Sequence, residues 1–173
     1  KELIAARGPE LLDAAARHGV PLLFEAAVGG AIPIIRPLTE TLAGERIERV
    51  MGIVNGTTNF ILTSMGEFGR SYDDVLAEAQ ALGYAEADPR GDVEGDDAVN
   101  KIVILARLAF GGWIDPAAVV RTPPSVRGWG RPGITGVTSS EMGSAALLGL
   151  DLKLLALAEP APDGAVAASV LPT

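Results

Sequence analysis

Residues 96–110, Asp-Asp-Ala-Val-Asn-Lys-Ile-Val-Ile-Leu-Ala-Arg-Leu-Ala-Phe, constrain the fold more than any other stretch. Apolar side chains cover most of the surface that a helix of this sequence would present, and Gly111-Gly112 supplies its stop. A helix that apolar is buried, so the rest of the chain has to pack around it. Two of its polar members, Asp97 and Lys101, are spaced four apart and share one face. As a solvated ion pair they would contribute only ~0.3–0.5 kcal/mol. On a buried helix, however, the lysine needs a partner, and proton transfer is a task for which such a lysine is suited.

The flanking pattern supplies the other elements. Residues 9–17 predict a helix, with Pro9 in its first turn, Leu11, Leu12 and Ala15 on its apolar face and His18-Gly19 as its stop. His18, the only histidine, is expected to be no more than a cation near that helix end. Residues 20–28 predict a buried strand ending at Gly29-Gly30, residues 33–43 a helix, and residues 47–54 a second strand. Asn55-Gly56-Thr57-Thr58 is expected to turn into a helix over 58–67, and Ser71 with Asp74 three residues on marks the start of another over 71–82. Residues 84–95 predict a carboxylate-rich loop and 122–133 a Pro/Gly-rich one. Strands are expected at 134–137, 152–158 and 165–171, with a helix over 139–148. The expected architecture is α+β over the whole of 1–173: a predominantly antiparallel or mixed sheet with helices on one face.

Composition narrows the function. The 173 residues are 48% hydrophobic and 21% charged, the balance of a folded domain with a sizeable core. No apolar run reaches the ~18 residues that suggest a membrane span, and no secretory signal is expected from the opening Lys1-Glu2 segment. A net charge of -8 disfavours a nucleic-acid partner. Without cysteine there is no disulfide, thiolate zinc site or cysteine nucleophile, and a cytoplasmic location is expected.

The acidic loop invites a calcium reading, which its spacing rejects. Counting from Asp92, the sixth position is Asp97 where an EF-hand takes Gly, and the twelfth is Val103 where it takes Glu; counting from Asp88, the third is Arg90.

From Gly83 to Lys101 the chain runs Gly-Tyr-x-Glu-x-Asp-Pro-x-x-Asp-Val-x-Gly-x-Asp-x-x-x-Lys, which resembles the signature of homoserine dehydrogenases. Two earlier segments are similar to the same family: Phe24-Glu25-Ala26-Ala27-Val28-Gly29-Gly30-Ala31-Ile32-Pro33-Ile34-Ile35 and Gly52-Ile53-Val54-Asn55-Gly56-Thr57-Thr58-Asn59. The resemblance implies interconversion of L-homoserine and L-aspartate 4-semialdehyde with NAD or NADP, within threonine, methionine and isoleucine biosynthesis. It implies that Lys101 exchanges the hydroxyl proton, that Asp97 sits against the substrate and holds the lysine's surroundings, and that Glu86 receives the substrate ammonium. Asp92, Tyr84, Gly56 and Thr57 would line the same pocket, Gly83 would approach the cofactor, and Lys1 would lie near both nicotinamide and substrate. Glu25, Val28, Gly30 and Ile32 match a monovalent-cation site for Na+ built mostly from backbone oxygens, donors that suit a hard cation. A plain strand-to-turn bend at Gly29-Gly30 is the alternative for that segment.

No Gly-x-Gly-x-x-Gly follows a strand; Gly130, Gly133 and Gly136 are three apart but outside any strand–turn–helix unit. The dinucleotide fold that this family carries is therefore expected outside the chain, and the C-terminal end is expected to be cut short. Two readings stay open. The chain is either the substrate-holding part of an oxidoreductase or an assembly module forming a homodimer through the uncovered face of its sheet. A related NAD(P)-linked reductase with another substrate is a more distant third.

Overall fold

The computed structural model describes residues 1–122 and 130–173; part of the Pro/Gly-rich loop expected at 122–133 therefore lies outside the described residues. Its elements are α1 (Glu2–His18), β1 (Val50–Gly52), α2 (Gly56–Phe68), α3 (Tyr72–Ala81), a single turn α4 (Arg90–Val93), α5 (Asp96–Phe110), α6 (Ser139–Leu147), β2 (Leu154–Pro160) and β3 (Val166–Pro172). Among the described residues the strands form one antiparallel sheet in the order β1-β2-β3, with Gly52 opposite Ala156 and Ala156 opposite Val170. The α+β expectation holds: α5 lies across all three strands, α1 packs on α5, and α2 packs on α3, α4 and α6. The outer edge of β3 is met by Val120, which exchanges hydrogen bonds with Ala168 and Val170.

The core forms where α5 meets the sheet. Ile102, Val103, Ile104 and Ala106 are buried on the helix, and Leu154, Ala156, Ala158 and Val170 on the strands. Alternation in β2 sends Leu154, Ala156 and Ala158 inward and leaves Leu155 and Leu157 half-exposed on the other face. The small Ala156 and Ala158 side chains leave room for the larger Ile and Val of the helix.

Capping fixes three helices where the sequence predicts them. Asn55 caps α2, Ser71 caps α3, and Thr138 with Glu141 forms a capping box on α6. The first helix is longer than the expected 9–17. It begins at Glu2 and bends at Arg7, two residues before Pro9, which cannot donate a helical hydrogen bond. Gly8 sits at this bend against the Trp113 ring, which occupies the space a Cβ would need.

Four expected elements differ. Residues 20–28 form no strand; a 3-10 turn spans Glu25–Ala27. The Glu25 carboxylate gathers the backbone N–H groups of Ile34, Ile35 and Arg36, at 2.6, 2.8 and 2.9 Å, and folds the segment back on itself. The helix expected over 33–43 is a short turn starting at Ile35 that widens into a π turn, Pro37–Thr41. The Leu42 N–H closes onto the Pro37 carbonyl at 2.8 Å, and Pro37 itself has no N–H to continue a regular helix. Strand β1 keeps only Val50–Gly52 of the expected 47–54, because the Val54 carbonyl leaves the ladder for a side chain described below. Residues 134–137 are a turn rather than a strand. The Ile134 N–H donates to the Val93 carbonyl at 2.8 Å, and Gly133 (φ 63°) lies so close to the Val93–Glu94 backbone that no Cβ fits.

Candidate functional site

The N-terminal ends of α2 and α5 converge beside the short turn α4, and the polar side chains of all three meet there. Gly95 is in the left-handed region (φ 89°), which lets the chain turn sharply from α4 into α5 and brings Asp92 and Asp97 to the same side. The Lys101 ammonium, one turn further along α5, donates to Asp97 Oδ2 at 2.6 Å and to the Val54 carbonyl at 2.6 Å. Lys1, at the start of α1, reaches Asp97 Oδ1 at 3.2 Å and Glu2 at 2.9 Å. A single carboxylate thus lies between two lysines. The side chains of Asp97 and Lys101 are 11% and 17% exposed, so this is not the solvated surface pair that spacing alone allows.

Burial disfavours the charge on Asp97, but hydrogen bonds from Lys101 and Asn55, the Lys101 charge and the Lys1 hydrogen bond outweigh it. They hold the carboxyl below its usual value. Lys1 is shifted upward, chiefly by its hydrogen bond to Glu2, with Asp97 adding to the effect against partial burial. Asp97 is therefore a fixed anion at neutral pH, facing the Lys101 side chain.

Two cavities meet the pair, one lined by Asp97 and the other by Lys101. An acidic cavity of about 310 Å³ is lined by Lys1, Glu86, Asp92 and Asp97, together with Asp96 and Asn100. A more apolar one of about 460 Å³ includes Val28, Gly30, Ile32, Asn55, Gly56 and Lys101 in its lining. Nine of the residues singled out in the sequence therefore surround one or other cavity. Thr57 braces the acidic one, its single hydroxyl proton shared between the Tyr84 carbonyl at 2.9 Å and Asp92 Oδ2 at 3.2 Å. The Tyr84 ring is largely exposed and packs on Phe60 with ring centroids 5.0 Å apart. Gly83 (φ 78°) is an exposed turn outside both linings.

Glu25 is placed differently from the other candidates. Its carboxylate is occupied by the three backbone N–H groups named above, which hold its proton affinity below the usual value despite the opposing desolvation. Among the described residues no N–H donates to the carbonyls of Val28, Gly30 or Ile32, so these oxygens are available to a hard cation. No group of three or more His, Cys, Asp or Glu suited to a metal occurs among the described residues, so any cation there would rest on such carbonyls.

One site residue escaped sequence reasoning. Asn55, 6% exposed, donates to Asp92 Oδ1 at 2.7 Å and Asp97 Oδ2 at 2.9 Å while its carbonyl oxygen caps α2. Its place directly before Gly56-Thr57-Thr58 signals the cap, but nothing in the sequence signals the two carboxylates.

What fold and site define together is an α+β domain in which the sheet is scaffold and a buried lysine–aspartate pair sits where helix N-termini converge. Residues 33–173 match the family described as homoserine dehydrogenase, and the chain belongs to that family. It is 49% identical over 159 residues to a homoserine dehydrogenase from Synechocystis sp., covering 92% of this chain and 34% of that protein. The crystal structure of a homoserine dehydrogenase from Thiobacillus denitrificans superimposes with a TM-score of 0.89 at 44% identity, over 99% of this chain and 37% of that one. A hyperthermophilic archaeal homoserine dehydrogenase in complex with NADPH superimposes with a TM-score of 0.76 at 32% identity, over 98% of this chain and 45% of that one. The chain thus spans about a third of the length of the curated relatives it matches.

Proposed function

We propose that this chain supplies the substrate pocket and the proton-transferring lysine for NAD(P)-linked interconversion of L-homoserine and L-aspartate 4-semialdehyde, a step of amino-acid biosynthesis in the cytoplasm. The observation that carries the reading is the Lys101–Asp97 pair at 2.6 Å, whose aspartate lines a cavity rich in carboxylates and whose lysine lines a second, more apolar one. Homoserine carries an ammonium group, for which Glu86 and Asp92 are charge-assisted acceptors. In the reduction the Lys101 ammonium gives its proton to the aldehyde oxygen as hydride arrives at the carbon. In the oxidation the unprotonated Lys101 amine takes the hydroxyl proton, and Asp97 fixes the direction of the side chain. A donor aimed at a developing oxyanion is worth about 2.7–4 kcal/mol in the transition state. Thr57 and Asn55 hold Asp92, and Lys1 completes the charge balance on Asp97. NAD or NADP, when bound, would accept or deliver the hydride, and NADPH in the archaeal relative supports that cofactor class. In this reading Lys1 and Gly83 face the nicotinamide side. The open carbonyls of Val28, Gly30 and Ile32, braced by Glu25, are our proposed seat for Na+.

The test is nicotinamide absorbance followed with L-homoserine and NAD(P)+ on the full-length protein. Homoserine-dependent reduction of the nicotinamide is expected. A folded protein that reduces it with another amino alcohol and not with homoserine would sink the substrate assignment.

The uncovered face of the sheet favours a second, compatible role in pairing. Met51 is 58% exposed there, and Leu155, Leu157 and Leu171 are only half-covered. An apolar sheet face of this kind suits an isologous homodimer. Sedimentation of the full-length protein should give a dimer that Leu157→Lys dissociates; a wild-type monomer would refute the pairing role.

A further inference from the structure

We infer that Asn55 is a positioning residue, which sets the Asp97 carboxylate against Lys101 by tying it to the N-terminus of α2. The role in turnover rests on the homoserine reading above; the placement of Asp97 does not. All four hydrogen-bonding positions of the Asn55 amide are used. The oxygen accepts from the Thr58 N–H at 2.9 Å and from the Thr58 hydroxyl at 3.0 Å. The nitrogen donates to Asp92 Oδ1 at 2.7 Å and to Asp97 Oδ2 at 2.9 Å. These partners fix the sense of the amide, because the oxygen faces donors and the nitrogen faces two carboxylates.

The neighbouring residue completes a clamp. The Val54 carbonyl accepts from the Lys101 ammonium at 2.6 Å, so two consecutive residues hold the two members of the pair, one by its acid and one by its base. Asn55 also separates two anions. Asp92 and Asp97 come from α4 and α5 and converge on one NH2 group; without its two donors they would face one another in a partly buried site, where like charges repel strongly. A residue that only capped α2 would need the oxygen alone, and Ser or Asp would serve equally well.

Asn55→Ser separates the two roles, because a serine at this position keeps a cap acceptor and loses both donors. In the full-length protein the variant should keep a thermal midpoint near that of the wild type. The Asp97 carboxyl, followed by carbon NMR and assigned by its loss in Asp97→Asn, should titrate at higher pH. The acid limb of the kcat/KM profile should move the same way, with kcat/KM lower by about 10- to 100-fold, the range for losing a hydrogen bond to a charged group. Asn55→Asp, which keeps the cap and places a third carboxylate at the site, should show both changes more strongly. An unchanged Asp97 titration in folded Asn55→Ser overturns the inference. If the variants do not fold, the wild type decides: the Asn55 side-chain amide signal should follow the Asp97 titration, and an amide indifferent to it overturns the inference equally. Absence of homoserine turnover in the wild type would remove the proposed reaction and leave both NMR readouts able to judge the placement of Asp97.

Discussion

Asp97 and Glu25 are both carboxylates with all their acceptor oxygens engaged, and they are engaged in opposite ways. Glu25 is held by three backbone N–H groups of one turn, donors that cannot titrate or leave without unfolding that turn. Asp97 is held by side chains: two ammonium groups and an amide, arriving from α1, α5 and the residue that caps α2. The first arrangement fixes backbone. The second fixes charge, and its partners are side chains from separate parts of the chain rather than the backbone of one turn. Both carboxyls are held below their ordinary values, yet only Asp97 is paired with lysine side chains.

The comparison breaks most visibly at Asp97. Asp97→Asn should lower kcat/KM by about 100-fold or more, because the lysine loses the anion that orients it. The same change should cost about 1.5–3 kcal/mol of stability at neutral pH, the range for a hydrogen-bonded charged group. Because the folded-state value of Asp97 is depressed, that contribution is present above the ordinary carboxyl value of 3.8 and is lost as pH falls through the lower folded value. Chemical denaturation across pH should therefore show wild type and variant converging in acid; parallel curves would mean that the charge on Asp97 contributes nothing to folding.

Glu86 should give a smaller effect. It is exposed and lines the acidic cavity without a side-chain brace among the described residues. Glu86→Gln should raise KM for homoserine about tenfold while changing kcat less, as expected of a group that binds the ammonium and does not touch the reacting oxygen. A fall in kcat with unchanged KM would move Glu86 into the chemical step. The smallest effect on turnover belongs to Glu25. Glu25→Ala should lower the thermal midpoint and speed hydrogen exchange at Ile34, Ile35 and Arg36, while the pH profile of turnover keeps its shape. A shifted profile would contradict the division between the two carboxylates.

The same division explains what was legible in the sequence. Helix α5 was readable to the residue because apolar periodicity and a terminal Gly pair are local signals, and α3 because Ser71 caps onto Asp74. The chain around Glu25 was misread as strand and regular helix because its shape comes from a carboxylate reaching nine to eleven residues ahead, a contact that no local pattern encodes. Lys101 and Asp97 stood out because they lie four apart on a buried helix, whereas Asp92 and Glu86 were legible only through the resemblance of the acidic run to homoserine dehydrogenases. Asn55 did not stand out, because its two carboxylates lie 37 and 42 residues away. Likewise, Lys153 donating to the Thr63 hydroxyl at 2.6 Å joins the start of β2 to α2 across 90 residues and leaves no trace in spacing.

The central claim is that Lys101, directed by Asp97, moves the proton in homoserine oxidation. The most direct measurement is kcat/KM for L-homoserine with NAD(P)+ on the full-length wild type and on Lys101→Ala, with folding of the variant verified by its thermal midpoint. A folded variant that has lost 10²-fold or more, in the range of general acid–base catalysis, is the predicted result. A folded variant that turns over at the wild-type rate would contradict the account.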